Sequence, residues 1–335
     1  MSSINDVAKL AKVSISTVSR VMNGHPNVRK EKREAVLKAV EELNYIPNAL
    51  AQGLVKKSTH SVAILIADIS NMFYANLLKN IENSLNKKGY QVLIGNTDWD
   101  VEKEKDYIRY MLQKQVDGII LTSTTLDDNY LNKIADNGVA LVVLDRDFSS
   151  TNIDQIRVDD YQGAYMATEH LIKCGYEILI HILGPSGIVS AEDRKRAFLD
   201  CVRENAFSQN SYKLLEGDFT EISGRKVIEE FLEQHEIRKR TGIFAANDAM
   251  ALGILHYLKE EGFTCPEQIG IVGFDDISFA RYSNPPLTTI RRPIGKIGDI
   301  AANIILERIE DRVKTNEYKR ESLGIELIER QSTST

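Results

Sequence analysis

A chain of 335 residues exceeds one ordinary domain and predicts two or three. Its 43% hydrophobic content can fill complete cores, yet no apolar run is long enough to cross a bilayer and the first 20 residues lack a signal peptide's apolar stretch. The net charge of −6 is uneven: residues 1–60 carry ten Lys and Arg against five Asp and Glu, a net of +5, which leaves −11 on the remainder. A basic head on an acidic body directs phosphate contact to one end and repels nucleic acid from the other.

In chain order, Ile4, Val7, Ala8 and Ala11 give a first short helix an apolar face. Lys12 and Val13 make a tight break, after which the Ser14 hydroxyl can cap a second helix. On that helix Val18, Val21 and Met22 point inward, leaving Ile15, Ser16, Thr17, Ser19 and Arg20 on a face that folding does not require. Two brief helices of this kind describe a helix-turn-helix, so the head is expected to bind DNA. A third helix is predicted from about Lys30 to Asn44, with Val36, Val40 and Leu43 at helical spacing and Leu37 widening the stripe. Arg29, at its start, cannot supply a side-chain cap. Asn48 to Val55 is helical in residue type but too short to persist alone, since isolated helices below ~12 residues are marginal in water. On composition alone this is a linker.

From Val62 apolar strands alternate with helical stretches. Strands are expected at Val62–Ala67, Gln91–Gly95, Gly118–Leu121 and Ala140–Leu144, then near 179–183, 213–216, 242–245 and 269–273. Helices are expected between them, at 73–88, 101–114, 127–136, 160–174, 190–206, 222–234 and 247–261. Such alternation predicts parallel, doubly wound sheets, and eight or so strands divide into two lobes. Ligands then sit beyond the carboxyl ends of the strands, where Asp145-Arg146, Asn247-Asp248 and Asp275-Asp276 stand, with Arg194 following the Gly184-Pro185 loop. Carboxylates, Asn and Arg can together grip a polyhydroxyl ring, although each alone is equally an N-cap or a structural ion pair.

The segments "VSISTVSRVMN" and "YIPNALAQGL" resemble the Lac/Gal/purine repressor family. So do "QKQVDGIIL", "VVLDRD", "VDDYQGAYMATEHLI", "GPSGIVSAEDRKRAF", "ANDAMALGIL", "VGFDDI" and "NPPLTTIRRP", in family order over nearly the whole chain. The resemblance implies an all-α helix-turn-helix head over 1–46, a hinge helix and linker over 47–60, and an α/β body over 61–335. The body would comprise two lobes of periplasmic-binding-protein type, about 62–160 plus 291–320 and 161–290 plus the last strand. In the head, Ile15, Ser16 and Arg20 would read bases while Thr17, Ser19 and Asn23 hold phosphates, with Ser14 and His25 completing the DNA face. In the hinge, Asn48 would face DNA, Ala51 would allow close helix approach and Leu54 would wedge into the minor groove. Asp145, Arg194, Asn247 and Asp275 fall on effector-gripping positions, Phe219 on a stacking position, and Phe73 near the cleft mouth.

The sequence departs from the family at Arg292, where a Gln is usual, and a second guanidinium beside Arg194 is costly to bury without a counter-charge. Either Asp145 or Asp275 neutralises it internally, or the effector, a sugar, sugar acid or sugar phosphate, brings the negative charge. The second option would make the effector anionic. A regulator using a phosphocarrier protein is the alternative, against which Asn303 stands where that branch has a basic residue. A sugar-binding protein without DNA function is a further reading, but it would need a signal peptide and no helix-turn-helix.

No cofactor, no metal and no catalysis are expected. The chain has no nucleophile elbow, no phosphate-binding Gly loop, and its six histidines lack metal-ligand spacing. Cys174, Cys201 and Cys265 read as buried thiols of a cytoplasmic protein. The ending Glu329–Thr335 carries no apolar heptads, so a homodimer on a near-palindromic operator is expected, with helix 73–88 in the partner surface.

Overall fold

A computed structural model describes residues 2–46, 58–146, 153–237, 239–310 and 317–333, which divide into two compact units, 1–60 and 61–335. In the first unit three helices, α1 (Ile4–Leu10), α2 (Ile15–Met22) and α3 (Lys30–Glu42), enclose Val7, Ala8, Val18, Val21, Val36 and Ala39. Ser3 and Asp6 form a capping box on α1, and the Ser14 side chain accepts from the Thr17 amide at the start of α2. Lys12 takes a left-handed conformation (φ 51°), which makes the break between them. Arg29 gives α3 no side-chain cap, as its chemistry requires. Leu37 does not widen the α3 stripe into the core; it is half exposed. The hinge residues Asn48, Ala51 and Leu54 lie outside the described residues.

The second unit contains two six-stranded sheets. The first holds β1 (Ser61–Ile66), β2 (Gln91–Asn96), β3 (Gly118–Thr122), β4 (Ala140–Leu144), β5 (Asp154–Val158) and β11 (Arg320–Leu323), all parallel, in the order β11-β5-β4-β3-β1-β2. The second holds β6 (Ile178–Leu183), β7 (Tyr212–Glu216), β8 (Thr241–Ala245), β9 (Ile269–Asp275), β10 (Thr288–Arg291) and β12 (Glu326–Ile328), in the order β12-β10-β9-β8-β6-β7. Among the described residues only β12 runs antiparallel, against β10. Sequence periodicity anticipated eight strands. Of the four it missed, β10–β12 are three or four residues long, too short to alternate visibly, and β5 carries Asp154, Gln155 and Arg157 among its five residues.

The helices between strands are α4 (Met72–Asn86), α5 (Val101–Gln113) and α6 (Asp128–Asp136) in the first lobe, and α7 (Asp160–Lys173), α8 (Val189–Glu204), α9 (Glu221–Gln234), α10 (Asp248–Glu260) and α11 (Ser278–Tyr282) in the second. A last helix, α12 (Ile294–Glu310), returns to pack on α4, β3 and β4 of the first lobe. The chain therefore crosses between lobes after β5, after β10 and after β11, close to the boundaries expected from sequence. Beyond β12, Ser332 and Thr333 are buried: the Ser332 hydroxyl donates to the Ile271 carbonyl and accepts from the Thr288 amide.

Candidate functional site: a charge-matched cleft and a DNA-facing helix

The carboxyl ends of the strands in both sheets bring together the side chains selected by sequence. Phe73, Arg194, Phe219, Asn247, Asp275 and Arg292 line one cavity of about 20 Å³, joined by Asn71, Tyr74, Ser123 and Ser190. That space admits about one water-sized molecule. Asp145, one residue beyond β4, reaches the same place by pairing with Arg292. Several of these positions are in the left-handed region, with φ of 52° at Ser123, 59° at Asp145, 70° at Phe219 and 114° at Asp275. Non-glycine residues hold such conformations only where the surroundings over-determine them, most often at ligand sites.

The question raised by Arg292 has an internal answer. Its guanidinium is 5% exposed, hydrogen-bonds Asp145 Oδ1, lies 3.6 Å from Asp275 Oδ1 and stacks 4.0 Å from the Phe73 ring centroid. Burial works against its charge, but the nearby carboxylates of Asp145, Asp160 and Asp275 hold the guanidinium above its usual value. Arg194 is equally buried. Its Nε and Nη2 both donate to Asp160 Oδ1, at 3.0 and 2.6 Å, Nη1 donates to the Ala246 carbonyl, and the group stacks 3.6 Å from the Phe274 centroid. Three carboxylates thus face two guanidiniums without any ligand.

Asn247 caps α10 by accepting from the Met250 amide at 2.9 Å, and its side-chain amide donates to the Phe219 carbonyl at 2.8 Å. It therefore orients the aromatic loop as well as lining the cavity. Gly184 makes room for that ring, because a Cβ there would stand 2.3 Å from Phe219 Cζ. Among the described residues, two polar atoms of this cleft are buried without a hydrogen bond, Asp275 Oδ1 and Arg292 Nε. Burial pushes the Asp275 carboxyl up to about 6 against the pull of Arg194 and Arg292. Behind it, Asp248 is fully buried, accepting from the Ile277 amide and from Thr289 Oγ1, and burial raises it well above the carboxylate range.

Sequence reading did not select Asp160, the counter-ion of Arg194 and the first residue of α7. It also missed Asn71, although an Asn two residues before Phe73 is the helix-start signal. Tyr74, Ser123 and Ser190 carried no signal.

In the first unit, the outward face of α2 presents Ile15 (49% exposed), with Ser16 and Arg20 also exposed and Thr17 and Ser19 half-buried. Thr17 Oγ1 and Ser16 Oγ both lie within hydrogen-bond distance of Ser14 Oγ, and the Asn23 side chain donates back to the Ser19 carbonyl. The polar residues thereby fix one another's rotamers. Arg20 makes no ion pair among the described residues and is free to reach a partner; His25 is exposed and accepts from Arg33 through its carbonyl. No helix among the described residues is long and apolar enough to cross a membrane, and no cluster of three metal-ligating side chains occurs among them.

A helix-turn-helix head on a chain whose body is two parallel-sheet lobes around a polar cleft defines a ligand-responsive DNA-binding regulator. Residues 3–48 match the bacterial regulatory proteins of the lacI family, and residues 168–333 match the periplasmic binding protein-like domain. The HTH-type transcriptional repressor PurR of Aliivibrio fischeri (strain MJ11) is 35% identical, over 99% of this chain and 98% of its own. A lac repressor dimer bound to operator and the anti-inducer ONPF superposes with a TM-score of 0.84 at 27% identity, covering 99% of both chains. A LacI family transcriptional regulator from Enterococcus faecalis V583 with bound ribose gives 0.72 at 30% identity, over 82% of this chain and 98% of that one. The chain belongs to the lacI family of bacterial regulatory proteins, and it is a DNA-binding transcriptional regulator.

Proposed function

We propose that this regulator is a cytoplasmic homodimeric repressor, with residues 1–46 as DNA-binding head, 47–60 as hinge and 61–335 as effector-binding and dimerising body. Its operator would be near-palindromic, and its effector a neutral monosaccharide held by Phe73, Asp145, Arg194, Phe219, Asn247, Asp275 and Arg292. The observation that carries the effector class is the pair of buried, unbonded atoms in a cleft whose cations are already matched. A sugar hydroxyl donates to a carboxylate and accepts from a guanidinium N–H, so it can satisfy Asp275 Oδ1 and Arg292 Nε alike. An anionic effector would instead add charge to a site already holding one carboxylate in excess. The case for a sugar acid or phosphate rested on an unmatched Arg292, and Arg292 is matched. Effector binding between the lobes would shift their relative orientation, and with it the spacing of the paired heads.

Calorimetry with ribose and other neutral monosaccharides, alongside the corresponding sugar acids, tests this reading. Binding confined to the acids would overturn it. The pH dependence is a sharper check. A hydroxyl donates more strongly to the ionised Asp275 than to its protonated form, and burial pushes that carboxyl up to about 6. Affinity should therefore be highest above that pH and weaker at pH 5 than at pH 7.5, by up to about tenfold. Equal affinity at both would remove Asp275 from the contact.

For the head, Arg20→Ala should flatten base preference at one position in each half-site, a loss of about 1–3 kcal/mol of discrimination if Arg20 pairs with a guanine edge. Binding to operator variants measures this; a preference identical to wild type would reassign Arg20 to phosphate.

A further inference from the structure

We propose that Trp99, the chain's single tryptophan, closes the effector cleft from the first lobe onto the second and limits the effector to one sugar ring. The inference rests on the sugar reading above. Four aromatic rings run in series at the cleft. Phe73 meets Tyr74 edge-on at 5.1 Å, Tyr74 meets Trp99 at 6.1 Å, and Trp99 meets Phe219 at 6.0 Å and 39°. The first three rings belong to the first lobe and Phe219 to the second. The Trp99–Phe219 contact therefore spans the lobes, and both Tyr74 and Phe219 line the cavity.

The loop that presents Trp99 is held firmly. Thr97 donates to the Ile66 carbonyl through its amide and hydroxyl, and the Asp98 amide donates to Ala67 at 2.8 Å. The Asn96 side chain and Lys103 both bond Asp98, and Asp100 caps α5. Asp98 and Trp99 are both left-handed, with φ of 53° and 59°. Two successive non-glycine residues in that region are unfavourable and persist where a fixed side-chain direction is enforced. On the opposite side Phe219 is pinned by Gly184 and Asn247. Two immobilised rings meeting across a cleft form a contact only when the lobes are closed. A second sugar ring leaving the cavity on this side would have to displace one of them.

The test uses the full-length protein, with ribose and the disaccharide cellobiose as probes and the emission of Trp99 as an internal reporter. Ribose saturation should shift wild-type emission. Trp99→Ala should weaken ribose by at least about tenfold through the lost ring contact, and should bind cellobiose, which wild type excludes. Trp99→Phe should keep ribose affinity within about threefold. Unchanged ribose affinity in Trp99→Ala, or cellobiose still excluded by it, overturns the inference and leaves the sugar reading intact. A separate arm needs no sugar: Phe219→Ala should increase acrylamide quenching of Trp99, and unchanged quenching overturns the inference whatever the effector is. If quenching rises but wild type binds no neutral monosaccharide, the interlobe contact is supported and the sugar reading alone fails.

Discussion

Arg292→Ala is expected to destabilise the body by about 3–5 kcal/mol, the usual cost of stripping one partner from a buried ion pair. The substitution leaves Asp145, whose side chain is 5% exposed, and Asp275, 6% exposed, without the guanidinium between them. It also removes the flat group that covers the Phe73 ring. Urea unfolding at pH 7.5 measures the loss. The companion variant carrying both Asp145→Asn and Arg292→Gln replaces the ions with a neutral hydrogen-bonding pair, and should recover more than half of it. That recovery separates charge from packing, as coupled substitutions of touching residues do. A single variant within about 1 kcal/mol of wild type would mean that water reaches the pair in solution. The closed, charge-matched cleft would then not be the resting state of the molecule.

This site shows what a sequence can and cannot disclose. Asp145, Asn247 and Asp275 were legible because strand–helix alternation locates strand ends, and ligands gather there. Arg194 was legible from its place after the Gly184-Pro185 loop, whereas Phe73 and Phe219 needed the family resemblance, since no periodicity distinguishes them from core residues. Arg292 was legible as an anomaly but not as a solution, because its partners lie far away in sequence; Asp145 is 147 residues distant. Asp160 illustrates the same limit. As an acidic residue in a first helical turn it is fully explained by the helix dipole, yet the fold uses it to neutralise Arg194. In the architecture, long apolar strands were visible, while β10 to β12 exist only because the chain returns to complete sheets already built. The head was the most legible part, since its first two helices carry their own caps and all three share their own core.

His181 predicts how the second lobe fails in acid. On β6 it is fully buried, stacked 4.5 Å from Phe244 at 6° and 5.1 Å from Phe198, with Nδ1 2.9 Å from the Phe244 carbonyl. That carbonyl can only accept, so Nδ1 carries the proton, and Nε2 has no hydrogen-bond partner among the described residues. Burial, with help from Arg194 and Lys195 nearby, drives the imidazole down to about 3 from an ordinary 6.5. The unfolded chain therefore takes up a proton below pH 6.5 that the folded one refuses until about pH 3. Stability is full above pH 6.5 and falls as pH drops through that window, by up to about 1.4 kcal/mol per unit, or roughly 3 kcal/mol by pH 4. Asp275 works oppositely, since its raised carboxyl loses stability as pH rises toward 6, but it is common to wild type and variant and cancels between them. His181→Phe keeps a flat ring against Phe244 and removes the titration. At pH 7 it should cost about 1 kcal/mol for the lost hydrogen bond. At pH 4 the order should reverse, with the variant more stable than wild type by about 2 kcal/mol in urea unfolding. A difference between the two proteins that is the same at both pH values would show that His181 is protonated or solvated in the native lobe.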